Sequence, residues 1–172
     1  GLFYPNGTDW VLWWLAASRI GALVVPFSTL YAPGELAKGL RLGDVHLLIA
    51  PSRAVSVDFA VFLEDALPGL ATNAGTQIAV REAPYLRQIW ITGGTDRRWA
   101  HAVDFTDSVE EVGPQEIRSA VEAEVCPADP AGMIHTSGST ADPKGVIHSH
   151  GVLMRQSAFL SGTMNGFAPP GL

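Results

Sequence analysis

Short apolar runs alternate with longer amphipathic stretches along the chain, and that alternation limits the fold more than any single residue does. Residues 23–27, 45–50, 88–92, 133–136 and 145–148 read as strands, each too short and too apolar for a surface helix. Between them, residues 33–42 read as a helix with Pro33 in the first turn and Gly43 at the end, followed by helices at 57–67 and 114–124. Ile117, Ala120 and Val121 share a face of the 114–124 helix. Ser149 can cap a last helix running to about Met164. Fully apolar strands separated by helices imply an α/β fold: layers of helices flanking a mainly parallel sheet.

The longest apolar stretch, residues 10–27, is broken by Ser18, Arg19 and Gly21, and its helical part is too short to cross a bilayer. It reads instead as a buried helix, capped by Thr8 or Asp9 and ended by Gly21, followed by a strand. Trp10, Trp13, Trp14 and Ala17 fall on one helical face and are expected to pack rather than to bind. Residues 70–84 and 95–107 read as irregular surface connections.

Composition narrows the partners. The 172 residues are 47% hydrophobic and 16% charged, as in a globular domain with a core. A net charge of −6 argues against a nucleic-acid surface, which needs clustered Lys and Arg to displace counterions. Cys126 is the single cysteine, so an internal disulfide is impossible and a reducing, cytoplasmic setting is expected. His148 and His150, with His135, lack a carboxylate or cysteine at ligand spacing, so no metal site is expected. The acids at Glu110, Glu111, Glu116, Glu122 and Glu124 read as a solvated helix face.

One loop concentrates chemistry. Residues 136–145 read Thr-Ser-Gly-Ser-Thr-Ala-Asp-Pro-Lys-Gly between two apolar strands. Backbone amides freed by Gly138, the hydroxyls of Thr136, Ser137, Ser139 and Thr140, and the Lys144 ammonium all donate to anionic oxygens without deprotonation. Gly138 and Lys144 have the offset of a Walker-type phosphate loop, but Pro143 replaces its second glycine and Gly145 its magnesium-binding hydroxyl, so a kinase or GTPase reading fails. The whole string resembles the phosphate-binding loop of the adenylate-forming superfamily of acyl-CoA synthetases, peptide-synthetase adenylation domains and luciferases. Similar segments precede it: Tyr4-Pro5-Asn6, residues 21–27 and 33–36, and the strand at 45–50. Residues 146–151 follow it in the same pattern.

The resemblance implies a phosphate-binding set of Thr136, Ser137, Gly138, Ser139, Thr140 and Lys144, with Lys144 also serving catalysis by stabilising charge. It implies an AMP-forming carboxylate–CoA ligase using ATP, Mg2+ and CoA and acting on a fatty or alicyclic acid. Two alternatives stay open: an adenylation module loading a carrier-protein thiol, and a non-catalytic nucleotide-binding protein. Two positions depart from the pattern, with Ala141 where glycine is usual and His135 where an aromatic residue is usual. If position 141 needs a left-handed backbone, alanine costs about 1–2 kcal/mol. The superfamily's aromatic-Gly-x-Thr-Glu motif, ribose-binding aspartate and C-terminal lysine domain are not in the sequence, so residues 1–172 read as part of a large AMP-binding domain, truncated at both ends. The isolated piece is expected to aggregate through uncovered apolar faces and a free strand edge. Acyl substrate and oligomeric state are not encoded legibly.

Overall fold

Alternate side chains along each central strand go to two different hydrophobic clusters, and this period of two builds the layers. The computed structural model describes residues 1–54, 56–104, 115–136 and 144–166. Phe3, Val25, Phe27, Leu48, Ala50, Ile89 and Ile91 point to one face, where they meet Leu36, Leu40, Phe59 and Leu63. Leu2, Tyr4, Val24 and Ile49 point to the other, packed with Trp10, Trp13, Trp14, Ala17 and Trp90.

Helices α1 (Thr8–Arg19), α2 (Pro33–Leu42) and α3 (Phe59–Ala66) supply those two layers. The sheet between them contains β1 (Leu47–Pro51), β4 (Gln88–Thr92) and β5 (His101–Val103), in the order β1-β4-β5 and all parallel. A two-rung hairpin of β2 (Arg53–Ala54) and β3 (Val57–Asp58) leads into α3. Beyond lie α4 (Gln115–Glu124), the antiparallel pair β6 (Pro130–Thr136) and β7 (Lys144–Ser149), and α5 (His150–Gly166). Parallel bridges Leu2↔Ile49, Leu2↔Pro26 and Val24↔Gly132 join the N-terminal segment, the 23–27 segment and β6 to β1. The fold is thus the expected α/β arrangement, a mainly parallel sheet between helices.

Several local expectations need correction. Gly7, extended and without a side chain to cap, sits at the start of α1, so neither Thr8 nor Asp9 caps it. The 23–27 segment makes isolated bridges instead of a full strand: Val24 and Phe27 donate to Ala131 and Leu2 at 3.1 and 2.9 Å, and Val25 accepts from Leu2 at 2.9 Å. The helix expected from residue 57 starts at Phe59, because Val57 and Asp58 pair with β2 and the Asp58 carboxylate then accepts from Val61 N–H at 3.1 Å. Residues 70–84 are irregular but not superficial, since Leu70, Ile78, Val80 and Ala83 are buried. The 95–107 connection contains β5 and buried Trp99, whose indole donates to Glu64 at 3.1 Å. The shared face of Ile117, Ala120 and Val121 on α4 is real but exposed. The other helices fall where expected: Gly21 takes φ 72° after α1, and Ser149 accepts from Val152 N–H at 3.4 Å at the start of α5. No helix among the described residues is long and apolar enough to cross a membrane.

The Gly1 backbone nitrogen donates to the Leu47 carbonyl at 2.6 Å, tying the N-terminal segment to β1.

Candidate functional site

Thr136 ends β6 and Lys144 begins β7, and the two residues are directly opposite in the hairpin register. Of the six residues expected to bind phosphate, the structure brings these two together; Ser137, Gly138, Ser139 and Thr140 lie outside the described residues, as does Ala141. Both are exposed. The Thr136 hydroxyl donates to the Lys144 carbonyl at 3.4 Å, at the long end of hydrogen-bond geometry and so readily exchanged for a better acceptor.

Position follows from chain direction. Val24↔Gly132 pairing is parallel, so Thr136 lies towards the carboxyl-terminal edge of the sheet, the edge where β1 ends at Pro51 and β4 at Thr92. Open α/β sheets bind ligands at that edge. Gly93 and Gly94 turn the chain away there with φ of 78° and 87°, and a Cβ on Gly93 would lie 2.9 Å from Ser52 Oγ. Tyr4 and Thr92 share a buried hydroxyl hydrogen bond at the same edge. Burial raises the Tyr4 pKa and keeps it protonated.

Gly145, next to Lys144, answers a packing demand: a Cβ there would stand 2.6 Å from Met133 Sδ across the hairpin. Its place in the Pro-Lys-Gly string is therefore explained without a ligand. His135, opposite Gly145, stacks on Phe27 with ring centroids 5.9 Å apart. The sequence marked His135 as a departure and as one of three histidines without a metal-ligand partner, and gave no sign of the Phe27 contact.

His148 lies on β7, whereas His150 begins α5 and its N–H donates to the Asp129 carbonyl at 3.0 Å, so the two stand on different elements. Among the described residues no group of three or more His, Cys, Asp or Glu is placed to hold a metal ion. The Asp129 carboxylate instead accepts from the Cys126 N–H and thiol at 2.8 and 3.2 Å, closing the turn before β6. Those bonds, the backbone one foremost, hold its pKa below the usual carboxylate range.

A cavity of about 590 Å³ opens at the opposite, amino-terminal edge, lined by Gly1, Trp13, Leu23, Asp44, His46 and Ile147 among others. It is remote in the strand direction from Thr136 and Lys144, and its walls are largely apolar. The chemistry of the donor set, not the presence of a hollow, locates the candidate site.

A family model described as AMP-binding enzyme matches residues 1–168, and the chain belongs to that family. Similar solved structures include an anthranilate CoA ligase in complex with anthranoyl-AMP, with a TM-score of 0.60 and 19% identity over 87% of this chain and 24% of that one. A long-chain-fatty-acid-CoA ligase from Archaeoglobus fulgidus gives 0.58 and 21%, over 93% and 27%. A luciferase-like enzyme from the mealworm Zophobas morio gives 0.58 and 20%, over 87% and 30%. This chain thus spans about a quarter to a third of the lengths of those proteins. No curated protein sequence matches it.

Proposed function

We propose that residues 1–172 form the phosphate-binding part of a larger AMP-forming carboxylate–CoA ligase. The observation that carries this reading is the pairing of Thr136 with Lys144 at the carboxyl-terminal edge of a mainly parallel sheet, at the two ends of the hydroxyl-rich segment 137–143. An exposed hydroxyl and an exposed ammonium suit a polyphosphate: both donate, and neither must give up a proton first. At about 4 Å from a phosphate oxygen, a lysine gains a few kcal/mol at an intermediate dielectric.

The roles of these residues are orientation and charge compensation. Lys144 would offset the negative charge that grows on departing pyrophosphate when the acid's own carboxylate attacks the α-phosphorus. Thr136 and the hydroxyls at 137, 139 and 140 would hold the phosphates in line, with Mg2+ sharing their charge. No protein nucleophile is required, and transfer to the CoA thiol completes the proposed reaction.

Carboxylate-dependent ATP–pyrophosphate exchange by the full-length protein, with short, long, alicyclic and aromatic acids, tests the proposal. Exchange with one class is expected, followed by thioester formation on adding CoA. Lys144→Ala should slow exchange about tenfold to a thousandfold, corresponding to roughly 1.4–4 kcal/mol of transition-state stabilisation. Binding of MgATP without exchange for any acid would sink the ligase reading.

A further inference from the structure

His135 precedes Thr136 on β6, and strand alternation sends its ring to the opposite face. There it stacks on Phe27, with centroids 5.9 Å and planes 23° apart, an offset arrangement favoured by aromatic rings. Both ring nitrogens are shielded from water and have no hydrogen-bond partner among the described residues. Burial also holds its pKa below the ordinary 6.5, so the ring is neutral at pH 7. Phe27 is itself clamped from behind: a Cβ on Gly39 of α2 would lie 2.8 Å from Phe27 Cε1. Glycine is among the poorest helix formers, and at position 39 it gives Phe27 its seat.

We propose that His135 is a positioning residue, acting as a flat ring on the Phe27–Gly39 shelf to fix the Thr136–Lys144 rung that presents the phosphate donors. This rests on the nucleotide-binding reading above. The orphaned nitrogens argue for the ring's shape over its proton chemistry. A side chain that exchanged protons or oriented a ligand by hydrogen bonding would keep at least one nitrogen engaged or open to solvent. A hydrocarbon ring should therefore serve as well, and a small side chain should not.

The test is MgATP affinity of the full-length protein by calorimetry, for wild type, His135→Phe, His135→Ala and Gly39→Ala, with a thermal melt of each. His135→Ala and Gly39→Ala should weaken binding by about tenfold, equivalent to about 1.4 kcal/mol, at temperatures where they remain folded, while His135→Phe stays within about twofold of wild type. If His135→Phe loses as much as His135→Ala, the nitrogens matter and the proposal is wrong. A lowered melting temperature with unchanged affinity in His135→Ala reduces the residue to core packing and overturns it equally. Should Gly39→Ala fail to fold, the His135 pair decides alone. Wild type that binds no MgATP removes the nucleotide reading itself, and this inference with it.

Discussion

Leu63 and Ile147 carry side chains of equal size into opposite surroundings. Leu63 on α3 is 0% exposed and Ile147 on β7 is 55% exposed. The difference holds for the regions around them. In residues 1–104, β1 and β4 are largely buried on both faces and a core is closed by α1, α2 and α3, although Leu12, Leu15 and Leu30 of this region are exposed. In the part from α4 onward, Ile117, Val121, Ile134, Val146, Ile147, Met154, Phe159 and Leu160 are all exposed, while Ala131 is buried. The candidate phosphate donors stand on the second region. The layered core therefore carries stability, and the proposed phosphate donors stand beside apolar side chains that are exposed among the described residues.

That contrast can be broken by mutation. Leu63→Ala should cost about 2–5 kcal/mol in urea unfolding, through lost burial and the cavity left behind. A loss below 1 kcal/mol would mean the first region is not a consolidated core.

Asp58→Ala removes the α3 cap and should cost about 1 kcal/mol, with Asp58→Asn nearly neutral. The smallest effect is expected in the second region. Ile147→Ser should change unfolding free energy by no more than about 0.5 kcal/mol. It should also reduce dye binding and aggregation of the isolated chain, as exposed apolar patches predict. A loss of 2 kcal/mol would show that the second region is packed after all.

The layered fold was legible because it rests on periodicity: two apolar faces per strand and a tryptophan stripe at helical spacing are local signals. Family membership was legible because order and spacing in residues 136–145 are distinctive, and the family match over residues 1–168 bears it out. Other features escaped for identifiable reasons. Val57 and Asp58 look like the start of a helix until β2 is there to pair with them. Trp99 and Ile78 sit in segments without period, and only tertiary contact shows that they are buried. The Gly39–Phe27–His135 stack joins three segments distant in sequence, so no local pattern announces it.

Among the described residues, β6 is bonded through its backbone to the layered core at Val24, which donates to Ala131 at 3.1 Å and accepts from Met133 at 2.8 Å. A hairpin hung on so narrow a hinge has a stiffness set by the side chains wedged beside it. Under the proposed function, nucleotide affinity would then respond to changes near that hinge, in residues outside the donor set.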